Sequence, residues 1–141
     1  MLNSVYFLCE PEEIDGISGG LKVARWSKSE LERQKLVETG QTVVSNIKVD
    51  LNLIAWARAQ GIYVYIGRPG RWGNPYPIRE GCNREQCLAK YRLYFAKKIE
   101  LQGKLDSLQG KVLGCFCHPE PCHGHELLRH LQERALEHHA H

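Results

Sequence analysis

Lys111-Val-Leu-Gly-Cys115-Phe-Cys117-His118-Pro-Glu-Pro-Cys122-His123-Gly-His125 opens as a short apolar run and closes in a cluster of cysteines and histidines. After it, Leu127, Leu128, Leu131 and Ala135 recur at helical spacing. This order reads as a strand, a turn and an amphipathic helix. The residues from Cys115 to His125 hold three of the six cysteines and three of the seven histidines of the chain. In an open α/β sheet, turns that leave strand C-termini face the ligand crevice, and the next helix offers unpaired backbone N–H groups there. The cluster therefore marks the expected site.

Upstream the alternation repeats. Ile62 to Ile66 is apolar or aromatic throughout and suits a strand in a sheet covered on both faces. Thr42 to Ile47 is a second, β-branched strand. Ser27 with Glu30 has the form of a capping box, and Gly40 supplies a left-handed stop, so Ser27 to Thr39 is expected to be helical. Asp50 is expected to accept from the first amides of a helix carrying Leu53, Ile54 and Ala57 and closed by Gly61. Asn83 with Gln86 repeats the capping box, before a helix whose Leu88, Tyr91, Phe95 and Ile99 share one face. Ser4 to Cys9 has the composition of a first strand, though the acidic and glycine-rich residues up to Gly20 equally make a loose leader.

Strands separated by helices need crossover connections, which favour parallel pairing. The expected fold is α/β: a Rossmann-like three-layer sandwich with a mainly parallel sheet. Residues 1–20 read as strand or leader, 21–136 as a single α/β domain, and 137–141 as a tail.

A chain of 141 residues with 43% apolar content is enough for one core. Its net charge of +3 includes no run of Lys or Arg that would serve as a nucleic-acid arm, so charge alone names no partner. The first ten residues have no basic start and meet acidic residues after a short apolar run, which argues against a signal peptide or membrane span. A cytoplasmic protein with reduced cysteines is expected. Cys115 and Cys117, two apart on one strand, are poorly placed to bridge each other.

The second informative stretch follows the Ile62 strand: Gly67-Arg68-Pro69-Gly70-Arg71-Trp72-Gly73-Asn74-Pro75. So many glycines, prolines and arginines beside a tryptophan describe a shaped loop rather than a plain connector. Arg68 and Arg71 match phosphate or carboxylate as anion clamps, Trp72 offers a stacking platform, and Asn74 an orienting amide. The plainer alternative makes Trp72 a core plug and Gly-Asn-Pro an ordinary turn. Both loops leave strand C-termini and should converge. Asn46, at the end of the Thr42 strand, is either a ligand contact or a strand terminator. Trp26, Trp56 and the tyrosines at 63, 65, 91 and 94 read as packing. No Walker loop, dinucleotide fingerprint or nucleophile-elbow serine is present.

Val64-Tyr-Ile-Gly-Arg68, Arg71-Trp-Gly-Asn-Pro75, Arg84-Glu85, Leu108-Gln-Gly-Lys111, Leu113-Gly-Cys-Phe-Cys117 and Pro121-Cys-His-Gly124 together resemble an uncharacterised phage and bacterial family, domain of unknown function 4326. The resemblance spans about Ser27 to His130. It carries no established activity and implies a nucleic-acid or nucleotide setting by association only. Phe116, often Trp, and His125, often Asp, depart from the family pattern, and Cys82 and Cys87 look peculiar to this chain.

Three chemistries fit the cysteine–histidine turn. Cys122 at a helix N-terminus beside His123 would be an activated nucleophile with an acid/base partner. Alternatively the amides of Gly124 and His125 bind an anion while Cys117 and His123 face it. A zinc site would draw on Cys115, Cys117, Cys122 and His123, although this spacing is not the usual pair of knuckles. Cys115 itself reads as a buried packing residue. The favoured expectation is a small enzyme of phage or bacterial nucleic-acid metabolism that binds a nucleotide, nucleoside or other phosphate-bearing molecule without a cofactor. Its catalytic pair is His123 and Cys122. The competing expectation is a zinc-binding, non-catalytic nucleic-acid accessory module.

Overall fold

Ser27 caps the first helix of the described residues. Its hydroxyl accepts from the Glu30 N–H at 3.0 Å, and Glu30 Oε1 accepts from the Ser27 N–H at 2.9 Å, completing the capping box of helix α1, Lys28–Glu38. Gly40, at φ 97°, follows the helix in the left-handed conformation that its sequence position required. These features come from a computed structural model describing residues 25–140; the strand expected at residues 4–9, like the rest of residues 1–24, lies outside the described residues.

The elements that follow are β1 (Val43–Asn46), α2 (Leu51–Gln60), β2 (Tyr63–Tyr65), α3 (Arg84–Lys97), α4 (Ile99–Lys104), a 3-10 turn (Leu105–Leu108), β3 (Val112–Cys115) and α5 (His123–Ala140). Helix α5 continues into the stretch read as a tail. The three strands form one parallel sheet in the order β1-β3-β2, with Val43 opposite Val112 and Tyr63 opposite the same residue from the other side. The fold is thus α/β with a small parallel sheet, built among the described residues from the strands expected at 42–47, at 62–66 and in the run from Lys111. Strand β3 is buried along its whole length.

That arrangement places residues 62–66, read as a strand in a sheet covered on both faces, at the edge of the sheet. β2 is an edge strand of three residues with Tyr65 39% exposed, whereas the central strand is β3. Apolar composition does not distinguish an edge from a centre, because only the tertiary pairing decides which strand has neighbours on both sides. Side chains alternate across the sheet. Val43 and Val112 join Val37, Leu53, Trp56 and Ala57 in one apolar cluster, while Val44, Leu113 and Cys115 join Tyr91, Phe95, Leu127 and Leu131 in another. Gly114 in the central strand leaves room for the ring of Tyr63, which a Cβ there would strike.

Two expectations need correction. Asp50 makes no side-chain cap to α2. Its carboxylate is taken by Arg33, whose Nη1 and Nη2 donate to Oδ2 and Oδ1 at 2.9 and 2.8 Å, and by the Asn46 N–H at 2.7 Å. The free amide of Leu53 in α2 is met instead by Glu30 Oε2 at 2.9 Å, so one carboxylate serves the starts of two helices. Ile99 does not extend the buried face of α3. It is 80% exposed and opens α4, because the chain leaves the helix at Lys98 and Gln102 Nε2 donates to the carbonyls of Phe95 and Ala96 at 2.8 and 2.9 Å.

Arg33 and Asp50 are both buried, and every N–H of the guanidinium has a partner, including the carbonyls of Ser29 and Val44 and the Ser29 hydroxyl. Removing one member leaves an uncompensated buried charge. Arg33→Ala or Asp50→Ala should therefore cost about 3–5 kcal/mol in chemical denaturation. Burial pushes the Asp50 carboxyl up, but the Arg33 hydrogen bond, the Asn46 amide and the Arg33 charge outweigh it and leave the group below its usual value of 3.8. A depressed carboxyl contributes stability that is whole above the ordinary Asp range and lost as pH falls through the folded-state value. The denaturation midpoint should fall on acidification below about pH 4, and fall less in Asp50→Asn.

Candidate functional site

Strand β3 ends at Cys115, and the chain turns through Phe116, Cys117 and His118 before Cys122 opens α5. Asn46 holds that turn. Its Nδ2 donates to the His118 carbonyl at 2.8 Å and more weakly to Phe116 at 3.4 Å, while its Oδ1 accepts from the Lys48 N–H at 2.9 Å. Asn46 therefore braces the turn and is absent from the cavity lining described below.

At the start of α5, Cys122 N–H donates to His125 Nδ1 at 3.1 Å. An N3 side chain accepting from the backbone ahead of the helix is one half of a capping box, so the imidazole does here what an acid does elsewhere. With Nδ1 accepting, His125 carries its proton on Nε2, facing His118 Nδ1 at 3.2 Å. Burial holds both rings below the usual histidine range; for His118 the charges of Arg33 and His125 add to the shift, and Asp50 opposes it.

His123 is buried, and its Nε2 donates to the Ile66 carbonyl at 2.6 Å while its ring meets Tyr91 edge-on at 5.2 Å. Burial lowers its pKa; the bond to Ile66 pulls the other way, and Arg68 and His125 add to the lowering. A neutral imidazole clamped to the end of β2 positions α5, which corrects the expectation of a free acid/base partner for Cys122. Gly124 is needed in the same close approach, since a Cβ there would lie 2.8 Å from Ile66 Cδ1.

Two thiols meet beneath the turn. Cys115 Sγ and Cys122 Sγ are 3.5 Å apart and both are buried. They divide the charge unequally. Either sulfur can donate in this contact, and Cys115 Sγ also faces the Ser45 carbonyl at 3.6 Å; the contact with Cys122 and, against the cost of burial, the backbone N–H groups of Cys117 and His118 draw the Cys115 thiol down to about 6. The contact with Cys115, together with burial, pushes the Cys122 thiol far up, although the amides of His125 and Gly124 pull the other way. Those amides thus face the Cys122 sulfur. The sulfur drawn toward its thiolate is Cys115, not Cys122 as the helix N-terminus implied. A central strand buries Cys115 from the packing side, yet its end is where the next turn points its amides.

Both loops line one cavity of about 420 Å³. From the first loop come Gly67, Arg68 and Asn74; from the second, Cys115, Cys117, Cys122 and His123. Tyr65, Tyr76, Ile78, Arg84 and Phe116 complete much of the wall, and of these Tyr65, Arg84 and Phe116 fall in motifs that the family resemblance picked out. Arg84 Nη1 donates to the Pro121 carbonyl at 3.0 Å, tying the first turn of α3 to the cysteine–histidine turn. Tyr65 Oη donates to the Arg68 carbonyl at 2.8 Å, and Asn74 Oδ1 accepts from the Tyr76 N–H at 2.9 Å. Arg71 is exposed and outside the lining. Trp72 is 5% exposed in the apolar core, its carbonyl accepting from Tyr91 Oη at 3.0 Å, so the indole is a core plug rather than a stacking face. Among the described residues, no group of three His, Cys, Asp or Glu side chains is placed to hold a metal ion.

Residues 52–133 match the family model described as Domain of unknown function (DUF4326). The chain belongs to that family. It is 33% identical over 78 residues to the uncharacterised 12.4 kDa protein of the nrdA-td intergenic region of Enterobacteria phage T4, an alignment covering 52% of this chain and 70% of that relative. No solved structure matches the chain. The matched region of this DUF4326 protein begins inside α2 and ends inside α5, so it contains both cavity loops and leaves α1 and β1 outside. Among the described residues no helix is long and apolar enough to cross a membrane.

Iodoacetamide labelling of Cys115, followed by peptide mass spectrometry, should show a pH midpoint near about 6 and slow as pH falls through it. Cys122→Ala removes the S–H donor and should move that midpoint up towards the ordinary thiol value of about 8.5. A wild-type midpoint already at the ordinary value would remove the assignment. His123→Ala should cost about 1–3 kcal/mol of stability by leaving the Ile66 carbonyl buried and unpaired, as measured by denaturation.

Proposed function

We propose that this protein is a small enzyme that binds a nucleotide, nucleoside or other phosphate-bearing molecule, and that Cys115 is its nucleophile. One observation carries the reading: a thiol held toward its thiolate lies in the floor of a cavity whose wall also holds Arg68 and Arg84. Arginine forks match phosphate oxygens, and a cavity of this size suits a small molecule better than a duplex. Asn74 orients the ligand, and the rings of Tyr65, Tyr76 and Phe116 offer faces to a base. His123 positions α5, and Cys122 keeps Cys115 ionised by hydrogen bonding.

In this reading the Cys115 sulfur attacks an electrophilic centre of the bound ligand, and the leaving group departs with the bonding pair. Water then cleaves the adduct and returns the thiolate. The fold is read as a reduced Rossmann-like three-layer sandwich, with helices on both faces and the ligand at the C-terminal rim of the strands. A cytoplasmic setting, where thiols stay reduced, belongs to the same reading.

A thermal-shift series with nucleosides, nucleoside phosphates and inorganic phosphate tests it, because a ligand selective for the folded state raises apparent stability. A phosphate-bearing compound should give a saturable rise. Arg68→Ala and Arg84→Ala should each weaken its binding by about tenfold or more, the scale of a lost hydrogen bond to a charged group. Equal binding to the double variant, or no rise with any phosphate compound, would sink the proposal.

A further inference from the structure

Beside the cavity lies a second pair of sulfurs that the proposed chemistry does not use, one of which lines it. Cys87, in the first turns of α3, lines the cavity, and its Sγ lies 2.7 Å from Sγ of Cys82. The Cys115–Cys122 pair, at 3.5 Å, has the spacing of an S–H···S contact. The closer pair lies well inside that spacing, toward a disulfide bond of about 2.05 Å. Both members are buried, at 6% and 2% exposure.

Their backbones are held from both sides. Cys82 exchanges hydrogen bonds with Arg79, donating at 2.8 Å and accepting at 3.0 Å across an isolated antiparallel bridge. Cys87 N–H donates to the Asn83 carbonyl at 2.9 Å, and the Asn83–Gln86 capping box fixes the start of the same helix. Cys87 Sγ also faces the carbonyls of Pro77 and Cys82 at 3.4 and 3.5 Å. The sulfurs are therefore apposed by two anchored segments rather than by free rotation.

We propose that Cys82 and Cys87 form a reversible dithiol–disulfide site whose co-reactant is a low-molecular-weight disulfide entering through the cavity. The Cys87 sulfur, as thiolate, attacks one sulfur of the reagent and expels the other half as a thiolate. Cys82 then attacks the Cys87 side of the mixed disulfide, closing the internal bond and expelling the second thiolate. The protein loses two electrons and two protons, and the reagent leaves as two thiols. Burial and the hydrogen bond that Cys87 donates to Cys82 hold the proton on Cys87, so its thiolate is a minor species and does not make this disulfide strongly oxidising in the way that the Cys115 environment would. Once closed, the bridge ties the wall segment that includes Pro77 and Ile78 to the helix turn bearing Arg84.

The test uses the full chain incubated with excess oxidised glutathione, quenched by alkylation under denaturing conditions and mapped by peptide mass spectrometry. The expected result is a linked pair of peptides carrying Cys82 and Cys87, lighter by two hydrogens and restored by dithiothreitol. Cys82→Ser should convert the product to a mixed glutathione disulfide on Cys87. Full alkylation of both wild-type thiols after oxidation would overturn the proposal, as would a bond joining Cys115 and Cys122 in their place. Because the wild-type map needs no variant and no nucleotide, its outcome is separate from the ligand-binding reading.

Discussion

The buried ion pair between Arg33 and Asp50 is the constraint on which the site's geometry depends. Taking both charges out of water is costly, and the structure offsets that cost by giving the guanidinium a full set of acceptors and the carboxylate a third donor, the Asn46 amide. The third donor is what reaches the site. With its backbone held by Asp50, Asn46 presents Nδ2 to the carbonyls of His118 and Phe116 and so braces the turn whose amides face Cys115. Packing between α1 and α2 is thereby transmitted to the thiol at the end of the central strand.

The second loop is held in place by equally local contacts. The imidazole of His123 clamps the end of β2, Arg84 bridges α3 to Pro121, and Tyr65 brackets the backbone of Arg68. Each contact joins segments distant in the chain, and together they place a thiolate-leaning sulfur and two arginines around one hollow. The order of the two sulfurs follows from donors. Backbone N–H groups of Cys117 and His118 favour the Cys115 thiolate, whereas the contact with Cys115 together with burial pushes the Cys122 thiol up. Helix-dipole reasoning alone selected Cys122, because it counts the helix amides and ignores the neighbouring thiol.

Local chemistry was legible where it depends on residues three or four apart. Both capping boxes, at Ser27 and Asn83, and the left-handed Gly40 and Gly61 are where composition placed them, since these contacts close within one turn of backbone. Convergence of the two loops was legible too, because parallel strands put their C-termini at one rim. Long-range competition was not. Asp50 had the form of a cap until Arg33, seventeen positions earlier, claimed it. Trp72 had the composition of a platform, yet its size made it more useful as a core plug beside Tyr91. His123 lacked a capping reason, and its partner, the Ile66 carbonyl, is fifty-seven positions away. Tyr76 carried no signal beyond the packing expected of aromatic residues, and Tyr65 none beyond its place in a family motif.

By itself the sequence determined the alternation of helices and strands, the caps of the first and third helices, and the two stretches of chain that carry the chemistry. Periodicity, capping and turn composition are properties of neighbouring residues, and the family motif lies within the same stretches. Tertiary structure alone decided which strand is central, which arginine faces the cavity beside Arg68, and which cysteine is drawn toward its thiolate. Those outcomes depend on which donors and acceptors meet across the fold, and a buried polar group takes the partner that best satisfies it regardless of distance along the chain.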